Sequence, residues 1–262
     1  MDIINITFHQ FIVFFIGFVR IVTILCTVPV FGYRSVPIPV KAGLAFFISW
    51  VLFPIIEAGD FLVPLSGIDF LPFVLMILRE VLVGLIIGLA TNFLFVGIQM
   101  AGELIGMDMG FGIVNILDPT TGENVSIIGQ YKYIVSLLLF LMINGHHFLL
   151  NALRSSFIAI PLGGANFTQL IMKNIIVMSA DIFKIALQIG APALVALFLT
   201  SFVMGIIART VPQMNIFIVG FPLKISVGLV MIWVSIPLFA YVFVKLIDNL
   251  EISVMRIIQV MS

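Results

Sequence analysis

Residues 81–102 read VLVGLIIGLATNFLFVGIQMAG, and residues 103–123 read ELIGMDMGFGIVNILDPTTGE. The first stretch carries no charge and matches the roughly 20 apolar residues that cross a bilayer core. The second is a long polar interruption near the middle of an otherwise apolar chain. It combines glycines, which give backbone freedom, with Met107 and Met109, whose thioethers adapt to irregular surfaces. Asp118-Pro119 disfavours helix there. A loop of this make-up between hydrophobic segments is a candidate plug or gate.

The same pattern extends outward. Further charge-free spans run from Tyr133 to Leu153, Ile185 to Ala208 and Ile225 to Val244. The whole chain is 62% hydrophobic and 9% charged, against about 25% charged in a soluble domain. Too little charge remains to cover a soluble surface. The net charge of zero supplies no basic field for nucleic acid. Cys26 stands alone, so neither an internal disulfide nor a cysteine zinc site can form. The opening MDIINITFHQ lacks the basic region of a cleaved signal and is read as part of the mature protein.

Six apolar segments emerge, roughly 8–28, 40–56, 70–102, 131–151, 171–207 and 225–246. Arg20 interrupts the first, and Pro54 cuts the second short. The third and fifth exceed a bilayer core, so tilting, kinking at Pro192, hairpins or packing outside lipid are all open. Charge bias places loop 29–41 (Arg34, Lys41) on the cytoplasmic side of loop 54–69 (Glu57, Asp60, Asp69). Simple alternation then fails. Loop 103–130 holds Glu103, Asp108, Asp118 and Glu123 without a basic residue, and loop 152–173 holds Arg154 and Lys173. Ordinary six-span topology therefore fits poorly.

Gly84 and Gly88 are four apart, as are Gly102, Gly106 and Gly110, then Ala186 and Gly190, then Ser201 and Gly205. Such spacing lets helix backbones approach closely, within this chain or against partners. In residues 245–262, Ile247, Leu250, Val254, Ile257, Ile258 and Met261 share a helical face with Asp248, Glu251 and Arg256 off it. This predicts an amphipathic helix on the membrane or a partner. No linker divides the chain, so residues 1–262 read as one all-α, polytopic helical membrane domain of long, kinked helices or hairpins.

Catalytic constellations are missing. His146 and His147 are adjacent and diverge on a helix, which suits a polar cap after Asn144-Gly145 better than a metal site. Gly110-Phe111-Gly112 lacks the third glycine of a dinucleotide loop, with Asn115 in its place. No hydrolase or metalloprotease motif stands out. No enzymatic activity, cofactor or metal is expected. Charges inside apolar segments cost roughly 2.5–3.5 kcal/mol each on insertion scales, which singles out Arg20, Arg79, Glu80, Asp181 and Lys184. Asp181 and Lys184 can pair along one face, whereas Arg79 and Glu80 each need a partner elsewhere. These groups form either an ion path or structural pairs within an assembly.

A second loop, 208–224, reads ARTVPQMNIFIVGFPLK. Asn215–Val219 is too short to span and too apolar for a free loop, which predicts a re-entrant or interfacial stretch buried in protein. This segment, together with Pro29-Val30-Phe31-Gly32, Val36-Pro37, Gly110-Phe111-Gly112, Asn115, Asp118 and Pro119, resembles the FliR family of flagellar export-gate proteins. Their injectisome counterparts are called SctT. The likeness spans nearly the whole chain.

The resemblance implies a core component of the flagellar type III export gate in the bacterial inner membrane, within the flagellar basal body. It implies FliP-like and FliQ-like partner subunits, FlhB-like and FlhA-like components, and unfolded exported proteins as cargo. It implies a closed, hetero-oligomeric helical assembly, partly above the membrane plane. It also implies a channel plug at 103–123, carried by Gly106, Met107, Met109, Gly110, Phe111 and Gly112. The alternative is a small-solute secondary transporter with a broken-helix site around 212–222.

Overall fold

A computed structural model describes residues 2–32, 36–57, 70–111, 126–213 and 215–262. Among these residues every regular element is helical. In chain order they are α1 (Asp2–Thr27), α2 (Pro29–Gly32), α3 (Ile38–Glu57), α4 (Phe70–Met109), α5 (Ile127–Met142), α6 (Gly145–Ala159), α7 (Gln169–Thr210), α8 (Ile216–Val234) and α9 (Ile236–Met261). The expectation of an all-α polytopic architecture holds. Four helices are long and apolar enough to cross a membrane, or up to six candidate spans if each of two bent pairs counts as one.

The over-long segments are single helices, not hairpins. α4 has 40 residues and α7 has 42, with Pro192 inside it. At 1.5 Å per residue they reach about 60 Å, twice a hydrocarbon core of about 30 Å. Pro54 does not cut the second segment short, because it sits in the last turn of α3. The fourth and sixth predicted segments, in contrast, are broken. α5 and α6 bend by 73°, and α8 and α9 by 56°. Asn144 adopts the left-handed conformation at φ 58° where the first pair breaks. Pro237 opens α9; its ring cannot continue a helix from α8.

The chain divides into two units. One contains Met1–Phe93, Asn144–Ser179 and Asp248–Ser262; the other contains Leu94–Ile143 and Ala180–Ile247. In the first unit α1 packs on α3, and α3 also meets α6. The α1–α4 contact is made at glycines. A β-carbon at Gly84 would lie 2.8 Å from Thr23 Cβ and 2.9 Å from the Arg20 carbonyl oxygen, and one at Gly88 would overlap the Thr27 hydroxyl. In the second unit Phe95 stacks edge-on against Phe140 at 5.6 Å and Phe243 at 6.3 Å. There Gly102 of α4 faces Gly129 of α5, and a β-carbon at 102 would sit 2.6 Å from the Gly129 α-carbon. Gly84, Gly88 and Gly102, singled out by their spacing, thus mark close helix crossings. Gly205 does not, since a β-carbon there would meet nothing within 4 Å.

The C-terminal helix corrects an expectation. Its apolar face does not await a membrane or partner: Ile247, Leu250, Val254, Ile257, Ile258 and Met261 are all buried within the chain. The end of α9 is tied down by Asn166, whose backbone N–H donates to the Met261 carbonyl at 3.0 Å. The amphipathic period was right, and the occupant of its apolar face is the protein itself.

Gly84→Leu and Gly88→Leu are expected to destabilise the fold by about 1–3 kcal/mol through overpacking. Gly205→Ala should stay within about 0.5 kcal/mol of the parent. Thermal unfolding of the three variants in mild detergent measures the contrast.

Candidate functional site

The candidate gate begins where α4 stops. It was expected to be a loop from Glu103 onward, but helix continues through Met109. The helix ends in a Schellman cap. The Phe111 N–H donates to the Gly106 carbonyl at 3.0 Å, and the Gly110 N–H to the Met107 carbonyl at 3.0 Å. Gly110 has φ +98°, a conformation that only glycine adopts without strain. The glycine read as a swivel is therefore a fixed helix stop.

The sequence-selected gate residues are placed differently from one another. Gly106 lies against the Ser126 hydroxyl at the start of α5. That hydroxyl accepts from the Gly129 N–H and caps the helix. Met107 is 63% exposed, whereas Met109 is 0% exposed. Met109 belongs to a cluster with Ile105, Ile128, Ala193, Leu197 and Ile232, and Phe111 packs against it. Gly112, Asn115, Asp118, Pro119 and the remainder of the plug loop to residue 123 lie outside the described residues.

Segment 208–224 is mostly helical. α7 runs to Thr210 and α8 starts at Ile216, so the apolar stretch Asn215–Val219, expected to be re-entrant or interfacial, leads into and opens α8. Beside this break is a largely apolar cleft of about 280 Å³, lined by Met204, Gly205, Gly220, Phe221 and Lys224 among others.

The five singled-out charges separate into two groups. Arg20 and Glu80 are fully buried and form an ion pair. The Arg20 guanidinium also donates to the Ser156 carbonyl at 2.9 Å and the Ile160 carbonyl at 3.2 Å, and lies 4.5 Å from the Phe157 ring centre. Glu80 accepts from the Gly163 N–H at 2.8 Å, and Arg79 donates to the Gly163 carbonyl at 2.6 Å. The Ser156 and Ile160 carbonyls belong to the end of α6, where helix oxygens lack partners and favour a cation. These contacts describe a structural clasp. Asp181 is half-buried and Lys184 exposed. The pairing expected from their spacing is not formed; of the five charges, the ion pair is Arg20–Glu80.

One charge escaped the sequence reading. Lys132 is 2% exposed, with its ammonium 4.6 Å from the Phe239 ring centre, a cation–π contact. Its signal was present as the lone cation in QYKYIV. His146 and His147 occupy the first turn of α6 with ring centres 4.4 Å apart. Among the described residues no three His, Cys, Asp or Glu side chains gather as a metal site would require.

The architecture is that of a polytopic helical membrane protein. Residues 11–250 match the family described as bacterial export proteins, family 1. The chain is 38% identical over 250 residues to the flagellar biosynthetic protein FliR of Bacillus subtilis (strain 168), covering 93% of each. It is 30% identical over 227 residues to that of Escherichia coli (strain K12), covering 87% of this chain and 85% of that protein. The protein of the same name from Pectobacterium carotovorum is 30% identical over 225 residues, 86% of this chain and 84% of that protein. The chain belongs to this family of bacterial export proteins, the FliR family, and is a membrane-embedded component of flagellar protein export.

Glu80→Ala leaves the Arg20 guanidinium buried without its carboxylate, and is expected to cost about 3–5 kcal/mol. Asp181→Asn should be nearly neutral. Gly110→Ala forces an L-residue into the left-handed region and its β-carbon to within 2.6 Å of the Phe221 ring, expected to cost at least about 1–2 kcal/mol. The yield and unfolding temperature of purified protein report all three.

Proposed function

We propose that this chain is a core subunit of the flagellar type III export gate in the bacterial inner membrane, and that its residues 106–112 root a plug that seals the channel. The observation that carries the reading is family membership across residues 11–250. The Schellman-capped end of α4 supplies a physical basis for the seal. A gate must hold one closed position yet yield to an unfolded chain. Met109, wholly buried, anchors the root, while Met107 presents a flexible thioether outward and can adapt to a variable surface. No step requires a catalytic residue. Asp181 and Lys184 stay available to neighbouring subunits.

Partner subunits follow from the apolar surface. On α7, large hydrophobic residues are exposed from Leu170 to Ile206, a length of about 54 Å at 1.5 Å per residue. A hydrocarbon core of about 30 Å cannot cover it. The excess needs protein, which supports assembly with FliP-like and FliQ-like subunits, with FlhB-like and FlhA-like components meeting the complex. A small-solute transporter with a broken-helix site around 212–222 would call for paired internal repeats, and none is evident in the sequence.

Deletion of Gly106–Gly112 is expected to make the cell membrane leak ions through the assembled gate. Cells that remain tight and motile would sink the plug assignment. Purification in mild detergent is expected to bring down partner subunits in fixed ratio. Recovery of a well-behaved monomer would count against the assembly.

A further inference from the structure

The root of the gate segment and α8 interlock through two reciprocal glycine contacts. On α8, Gly228 leaves a gap that Met109 fills: a β-carbon at 228 would come 2.6 Å from Met109 Cγ and Sδ and 2.8 Å from Cε. On the gate side, Gly110 leaves a gap that Phe221 fills: a β-carbon at 110 would come 2.6 Å and 2.7 Å from two ring carbons of Phe221. Phe221 and Gly228 are seven residues apart, two helical turns, and therefore share one face of α8. Each partner contributes one large side chain and one glycine, so the two elements mesh in a single register.

The same region has room to move. The ring of Phe221 borders the open cleft beside Gly205 and Met204. Pro222, inside α8, has no N–H to donate to the preceding turn, which leaves the first turns of the helix more weakly tied to the rest. The chain enters α8 through the non-helical break after Thr210. A clasp with a vacant space beside its key ring and a weakened hinge next to it can open without unfolding its neighbours.

We infer that Phe221 and Gly228 of α8 are the clasp that holds the gate root closed, and that α8 must shift for the root at Gly106–Phe111 to leave its position. This rests on the plug reading above, and the following experiment separates the two. In cells carrying the complete export apparatus, Phe221→Ala is expected to raise ion leak several-fold, approaching the leak of the Gly106–Gly112 deletion. Leak in the deletion with a tight Phe221→Ala strain would overturn the clasp and leave the plug standing. A tight deletion strain would instead remove the plug itself.

A cross-link covers the case in which Phe221→Ala fails to assemble. Met109→Cys with Gly228→Cys, in a Cys26→Ser background, places two β-carbons near the disulfide range of about 3.5–4.5 Å. Oxidation is expected to stop export of flagellar subunits, and a reductant to restore it. A disulfide that forms while export continues at the parental rate would overturn the clasp, as would a pair that never oxidises.

Discussion

The buried pair of Arg20 and Glu80 is the constraint on which the first unit depends. Neither charge can reach water, so each hydrogen bond must be met by protein. Four Arg20 hydrogen bonds go to Glu80 and to carbonyls at the end of α6. Glu80 in turn holds the Gly163 N–H. Against an apolar pair of equal volume such a network adds little net stability. It supplies register instead: α1 cannot slide against α4 or α6 without stranding a charge. The glycine contacts at Gly84 and Gly88 act with it, because close backbone approach brings the two charged helices within reach.

The second unit follows a different rule. Its organising contacts are shape contacts: Gly102 against the Gly129 backbone, and two glycine gaps filled by large side chains, Gly110 by Phe221 and Gly228 by Met109. Shape complementarity of this kind is specific in register, yet it strands no charge when it parts. The first unit is thus held by an ion-paired clasp and the second by an apolar mesh.

The apolar surface that remains has a physical meaning beyond lipid. Trp50 and Phe47 of α3 and the long outer face of α7 are uncovered in the isolated chain. Helices of 40 and 42 residues present more hydrophobic length than one bilayer can solvate. The failure of simple charge alternation in the sequence has a related origin. Loop counting assumes that every apolar segment crosses once, whereas here two are twice the membrane thickness and two others are bent at mid-length.

The amino-acid sequence by itself determined the helical, membrane-embedded class, because low charge and charge-free spans leave no soluble alternative. It determined the family through ARTVPQMNIFIVGFPLK and the glycine-rich stretch after Met109. It also marked the glycines at helix crossings and the amphipathic period of 245–262, since spacing along a helix is a local property. Only the tertiary structure decided what met those faces. It turned the last helix inward rather than toward lipid, joined Arg20 to Glu80 across 60 positions, and left Asp181 and Lys184 unpaired. It converted Gly110 from an apparent swivel into a helix cap. A glycine permits both roles, and the carbonyls and ring that surround it select one; those neighbours lie far away in the chain, where local pattern carries no record of them.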